Sequence, residues 1–284
     1  MSIIYNGFEI TSLGRLPKDA DKSIPYQLVR LLIGTAGVKK NNAEARQPID
    51  YSDIGQAKQT LASKQAFHKF LTDYNSHANQ NTFIKKSMLR NREFFKDILY
   101  EFVNYFSQSH RECHTGAFVF LYRALERMFY SIPLIYTSTQ HDYYSTFKDL
   151  KELLKEEKIG EMGLYKKLLD KGKFIDATVL DVTYTINFSA SSYAAQFYKV
   201  TTDKFKAFES VDQARAEVTI KFRHMADLLS TLRNRFFHTR TGDGQSNIKS
   251  EEIRDSDEFF SYLNPVFCSY ISIVILHIIA KNSS

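Results

Sequence analysis

The sequence predicts a mainly α-helical protein: a helical bundle with a mixed N-terminal extension and a mixed insertion that contains a short strand or hairpin. Three observations carry this. Apolar residues recur at helical spacing in several stretches. Only 5 prolines punctuate 284 residues, and Leu, Phe, Lys and Glu are abundant. With 43% apolar residues, a chain of this length buries a sizeable core, as one domain with elaborations or as two. The division expected is an extension over residues 1–80 and a helical domain over 81–284, interrupted by an insertion at 131–211.

The elements follow in order. Pro25 to Gly34 reads as a short helix or strand, Lys39 to Asp53 as a polar loop, and Ile54 to Tyr74 as a helix with Phe67, Phe70, Leu71 and Tyr74 inward. From about Asn81 to Tyr130 two helices are expected, divided by the polar run Ser107 to Glu112, and these form the first pair of the bundle. Within the insertion, Phe147 to Lys158 is a charged amphipathic helix broken by Gly160 and Gly163. Phe174 to Phe188 is rich in β-branched and aromatic residues, so a strand or hairpin is expected there, with a further helix from about Tyr193 to Phe208. The insertion suits either a sensor or partner surface or a structural elaboration of the bundle. Met225, Leu229, Leu232 and Phe236 then fall at helical spacing, which predicts a helix from about Asp212 to His238. The run Thr239 to Ser246 is loop chemistry with two glycines. Asp255, Asp257 and Glu258 suit the dipole at the start of a last helix.

One run carries most of the functional information. Leu232-Arg233-Asn234-Arg235-Phe236-Phe237-His238-Thr239-Arg240 places a permanent cation, an amide and a titratable imidazole within one or two helical turns. Cleavage of RNA by its own 2′-hydroxyl needs a base for that proton and an acid for the leaving oxygen, roles a histidine fills near neutral pH. A guanidinium adds forked donors for the charge that builds on phosphorus, and no metal is required. Asn234 suits either the imidazole or the phosphate. At about 100° per residue, Asn234 and His238 share a face while Arg233 lies roughly 140° from His238. The two meet on one substrate if the arginine reaches around, if the helix loosens, or if a second subunit completes the site.

The spacing alone is weak, because an arginine and a histidine five apart arise by chance in roughly one such chain in two or three; requiring the asparagine makes this about twenty times rarer. The chain also contains an internal control. Arg90-Asn91-Arg92-Glu93-Phe94-Phe95 repeats the start of the pattern but carries Phe95 where the histidine would stand. That copy reads as structural.

Arg-Asn-x-x-x-His at the end of an amphipathic helix, followed by a polar loop and a final apolar helix, resembles the signature of the HEPN superfamily. The resemblance covers about Lys86 to Ala280, with Phe118 to Tyr130 similar in texture to an earlier helix of such domains. It implies a helical bundle formed by about 81–130 and 212–284 and a metal-independent endoribonuclease. Arg233, Asn234 and His238 would be the catalytic set, contributed by two facing subunits of a homodimer. Arg235, Thr239 and Arg240, in the same run, are assigned to contact with RNA. Members of this kind serve in bacterial toxin–antitoxin, abortive-infection and antiphage defence, which implies a harmful activity restrained by a regulatory or antitoxin protein. The long stretch from Ser131 to Val211 departs from compact members. The rival reading is a non-catalytic protein of the same bundle that binds a nucleotide or nucleic acid or acts as a scaffold, and a third is a plain helical protein in which the motif is buried and satisfied.

The remaining features bound the setting. A net charge of +6 suits a polyanionic partner. The first residues lack a basic n-region and an apolar h-region, so no secretory signal is expected. Cys113 and Cys268 are the only cysteines and lie far apart, which suits a reducing cytoplasm rather than a disulfide framework. Val266 to Ala280 is shorter than the roughly 20 residues that span a bilayer and holds Ser269, Ser272 and His277; a buried or dimer-interface helix is expected, and no membrane partner. His110, Cys113 and His114 have a zinc-like spacing without a fourth ligand nearby, so neither a metal nor another cofactor is assigned. His224 is expected to pack mid-helix. A phosphate-cradling glycine loop and a nucleophile elbow are both missing from the sequence, although the backbone of Thr241-Gly242-Asp243-Gly244 suits a phosphate contact.

Overall fold

A computed structural model describes the chain except at residues 1, 6, 13–15, 41–42, 56–57, 61–62, 75–76, 78, 140–141, 154–159, 171, 173, 238–246 and 284. Twelve α-helices and nine short strands are present among the described residues, so the mainly α expectation holds. The strands were less legible.

The first 80 residues build a small sheet and helices that pack on it. Strands β1 (Ser2–Tyr5), β2 (Phe8–Ser12), β3 (Ala36–Lys40) and β4 (Ala43–Arg46) form an antiparallel sheet in chain order. Helix α1 (Ile24–Leu32) lies between β2 and β3, begun by Ser23, whose Oγ accepts from the Tyr26 N–H, and by Pro25 in its first turn. Gly34 follows at φ +72°, where an added Cβ would lie 2.7 Å from the Ile49 carbonyl oxygen, so only glycine fits the close turn. Two short strands, β5 (Ile49–Asp50) and β6 (Lys58–Gln59), pair beside it. The segment Lys39 to Asp53 is therefore strand-bearing, not a loop. In β3 and β4, Val38 and Ala45 are buried cross-strand partners, while Lys39 and Glu44 pair beside them.

Helix α2 (Ser63–Asp73) buries Phe67, Phe70 and Leu71 as expected, and Tyr74 just after it is buried too, but the helix starts well after Ile54, because β6 and its turn come first. Next come α3 (Gln80–Ser87), α4 (Arg92–Ser109) and α5 (His114–Thr139). The turn at His110 to Cys113 closes on Gln108, whose carbonyl accepts from the Arg111 and Cys113 N–H groups. Helix α5 runs beyond Tyr130 into the expected insertion.

The insertion continues as α6 (Tyr143–Leu153), α7 (Glu161–Asp170), the single turn α8 (Ala177–Leu180), β7 (Thr183–Asn187) and α9 (Ala194–Lys204). Gly163 does not break a helix: it sits in the first turn of α7, where its N–H donates to the Gly160 carbonyl. A glycine there costs roughly 1 kcal/mol, which tertiary packing outweighs. Strand β7 finds its partner beyond the insertion. It pairs antiparallel with β9 (Glu217–Lys221), which also carries β8 (Ser210–Asp212) on its other side. The helix expected from Asp212 therefore begins only at Met225, after one 3-10 turn that contains His224. Val218, Ile220 and Phe222 bury alternate side chains, a period of two that merges in the sequence with the helical stripe beginning at Met225.

Helix α10 (Met225–Phe237) buries Met225, Leu229 and Leu232, with Phe236 packed at the edge. After α11 (Ser250–Ile253), the long α12 (Ser256–Ser283) closes the chain. Asp255 caps it, its carboxylate accepting from the Glu258 N–H at 2.8 Å, while Asp257 accepts from Thr115 N–H at 2.7 Å and ties α12 to the start of α5. At 28 residues α12 is longer than its apolar centre alone predicts. It is long and apolar enough to cross a membrane, yet 83% of its most apolar window is buried inside the chain. Helix α5 packs against α4, α7, α10 and α12, so it is the axis of the helical core.

Candidate functional site at the end of helix α10

Four aromatic rings fix the C-terminal turn of α10. Phe118 of α5 lies 5.9 Å from Phe237 with the ring planes nearly parallel, Phe236 meets Phe260 of α12 edge-on at 5.2 Å, and Phe118 meets Phe260 at 4.5 Å. This three-helix clasp holds the end of α10 on α5. Arg233 is thereby placed over the α5 surface.

The Arg233 guanidinium has three partners. Nη1 donates to Asn234 Oδ1 at 3.0 Å, Nη2 lies 3.8 Å from Glu126 Oε1, and the guanidinium carbon sits 5.0 Å from the centre of the Tyr122 ring. The arginine thus turns to its own neighbour as well as to α5. A cation over a ring face is held by the ring quadrupole, worth about 0.5–1 kcal/mol at such a half-exposed site. Burial first, then the Glu126 carboxylate, raises the Tyr122 phenol above its ordinary value, so Tyr122 stays neutral at cellular pH.

These groups line a cleft of about 210 Å³ between α5 and α10, formed by Phe118, Val119, Tyr122, Arg123, Glu126, Arg233 and Phe237. Beneath one edge lies a buried carboxylate. Glu101 of α4 receives Arg123 Nη2 at 3.1 Å and Arg127 Nε at 3.2 Å, and Arg127 reaches Asp97 at 2.7 Å. Glu101 is 4% exposed in its side chain, so it holds the half-exposed Arg123 from below in a medium where the attraction is little screened.

Of the predicted site residues, Arg233 and Asn234 come together. Arg235 starts about 160° around α10 from Arg233, and its carbonyl accepts from the Ile248 N–H at 2.7 Å. His238, Thr239 and Arg240, with the Thr241 to Gly244 run, lie outside the described residues. The α5 contribution was not assigned from sequence. Its signal was present, since positions 118, 119, 122, 123 and 126 share one helical face and interleave aromatic with charged residues. Elsewhere, Cys113 is exposed at the α4–α5 turn and Cys268 is buried; both are free thiols. No group of three or more His, Cys, Asp or Glu side chains is placed to hold a metal among the described residues.

No family model, curated protein or solved structure matches the chain.

Proposed function

We propose that this protein is a metal-independent endoribonuclease whose catalytic set is Arg233, Asn234 and His238. One observation carries the reading: Arg233 is clamped by Asn234, Tyr122 and Glu126 in a cleft that also holds Arg123, at a helix end whose next residue in the chain is His238. In this reading His238 moves the 2′-hydroxyl proton and the guanidinium takes up charge on the non-bridging oxygens. Asn234 positions Arg233.

The HEPN-like bundle belongs to the same proposal, with α4 and α5 as its first pair and α10 and α12 as its second. So do a cytoplasmic setting, a role as a toxin or abortive-infection effector against phage, and restraint by a regulatory or antitoxin protein. A homodimer would complete the site, but not through the centre of α12. Its apolar side chains from Phe267 to Ala280 are already buried within one chain, so the second copy must use another surface.

One observation favours a non-catalytic binding or scaffold role instead: the Arg233 guanidinium is already engaged with Asn234, Glu126 and Tyr122, as a structural anchor would be. Incubation of purified protein with RNA and with DNA of the same sequence in excess EDTA separates the two. The ribonuclease reading expects RNA cleaved to 2′,3′-cyclic phosphate or 3′-phosphate ends and DNA spared. A requirement for magnesium or manganese with 5′-phosphate products, or intact RNA throughout, would overturn it.

A further inference from the structure

We infer that the cleft between α5 and α10 is a subsite for one unpaired nucleotide whose base carries an amino group, with the adjacent phosphate held by Arg123. The inference rests on the ribonuclease reading for the identity of the polymer, and on the cleft itself for everything else.

Size comes first. Pockets for drug-sized ligands begin at about 300 Å³, and this cleft has about 210 Å³. It admits a single ring system, not a pair of stacked bases or a duplex. The lining is suited to such a ring: Phe237, 38% exposed, supplies the aromatic surface, with Tyr122 and Val119 beside it and fully buried Phe118 stacked behind Phe237. Base–aromatic contact is the general currency of single-strand recognition, because every base has a π face.

The charges select further. Two arginines and one carboxylate line the cleft, which leaves one positive charge, the complement of one phosphodiester. Arg123 is the better candidate for that phosphate. It is half exposed and fixed from behind by buried Glu101, whereas Arg233 is engaged with Asn234, Tyr122 and Glu126. Glu126 is then the one carboxylate facing the bound ring. A carboxylate accepts and never donates, so it favours the amino groups of cytosine, adenine or guanine and repels the carbonyl oxygens of uracil. The sequence preference of the site follows from this one side chain.

The test is fluorescence anisotropy of the full chain with 2′-O-methyl oligonucleotides of A, C, G or U, which lack the attacking hydroxyl and cannot be cleaved. Wild type is expected to bind oligo-A, oligo-C or oligo-G at least tenfold more tightly than oligo-U. Phe237→Ala should weaken binding of all of them about tenfold, with Phe237→Tyr restoring it. Arg123→Ala should reduce the slope of log affinity against log salt by about 0.7, with Arg123→Lys keeping it. Glu126→Gln, at an exposed side chain that does not threaten folding, should erase the discrimination against oligo-U. Circular dichroism reports whether Phe237→Ala folds; if it does not, the Arg123 and Glu126 variants decide. Affinity and base preference that are unmoved by Glu126→Gln and Arg123→Ala would overturn the subsite even if the protein cleaves RNA. Conversely, these binding signatures in a protein that leaves ordinary RNA intact would support the subsite and remove the ribonuclease reading.

Discussion

The chain contains the dipeptide Arg-Asn before a pair of phenylalanines twice, and the two copies are used in opposite ways. At Arg90-Asn91 the asparagine stands just outside α4 in the left-handed region, at φ +51°. Its Nδ2 donates to Asn282 Oδ1 at 2.6 Å and Arg90 Nη1 donates to the Asn282 carbonyl at 3.1 Å. Both side chains reach almost two hundred residues along the chain to pin the end of α12, and Phe95, where a histidine would stand, is fully buried. At Arg233-Asn234 the same pair lies inside the last turns of a helix and bonds to itself, and Arg233 lines an open cleft. A motif's meaning lies in where its polar atoms go. The first copy spends its donors on the fold, while the second keeps them beside a space large enough for a ligand.

The sharpest way to break that contrast is to remove the groups that only the second copy has. His238→Ala should lower RNA cleavage by about 3–4 kcal/mol of transition-state stabilisation, more than a hundredfold in kcat, without shifting the melting temperature. Arg233→Ala should do nearly as much. Gel-based cleavage assays on nuclease-free preparations check both, and undiminished cleavage by a folded His238→Ala protein would leave the two copies functionally alike.

The structural copy should instead show its importance in stability, and acid reaches it indirectly. His277 is half-buried in α12 against Tyr74 at 4.7 Å, its Nδ1 at hydrogen-bond distance from the Ile273 carbonyl. Burial, opposed by that hydrogen bond and reinforced by Lys281, depresses the imidazole to about 4 from an ordinary 6.5. A depressed histidine binds more protons unfolded than folded between those values. Its contribution is therefore complete above about pH 6.5 and lost as pH falls toward 4, by up to about 3 kcal/mol. Urea titrations across this window should show that loss, and His277→Phe should flatten it. An equally steep loss in the variant would place the acid sensitivity elsewhere.

How much of this could be read in the sequence depends on distance along the chain. The stripe Met225, Leu229, Leu232 and Phe236, the inward set of α2 and the Asp255 cap are local patterns, and the structure has them. Strands β3 and β4 hide a narrow buried side under a polar composition. Strand β9 was absorbed into a predicted helix, because its partner β7 lies more than thirty residues upstream and neither states its pairing locally. The site divides in the same way. Arg233 and Asn234 are neighbours and were legible; Tyr122, Arg123 and Glu126 join them only because the Phe118, Phe236 and Phe260 rings clasp three helices together. The helix wheel separates Arg233 from His238, and His238 lies outside the described residues.

A smaller effect tests the geometry of the first copy. Asn91 combines a left-handed backbone, which asparagine adopts at less cost than alanine, with the bond to Asn282. Asn91→Ala loses both and should cost about 2 kcal/mol, whereas Asn91→Gly keeps the backbone and should cost about 1 kcal/mol. Cleavage should survive in each. Denaturant melts that fail to separate the two variants would mean that backbone strain contributes nothing at this position.

The last contrast is whether the second copy, unlike the first, needs another chain. Arg90 and Asn91 complete their bonds within one molecule, but a catalytic set shared across a two-fold axis would pair Arg233 of one subunit with His238 of the other. Mixing inactive Arg233→Ala and inactive His238→Ala subunits then restores one intact site in each heterodimer. With random assortment half of the dimers are mixed and each has one of two sites whole, so recovery should approach about a quarter of wild-type cleavage. Light scattering of the wild type fixes its mass under the same conditions. A fully active monomer, or a mixture no better than either mutant alone, would rule out sharing and leave Arg233 to act beside the His238 of its own chain.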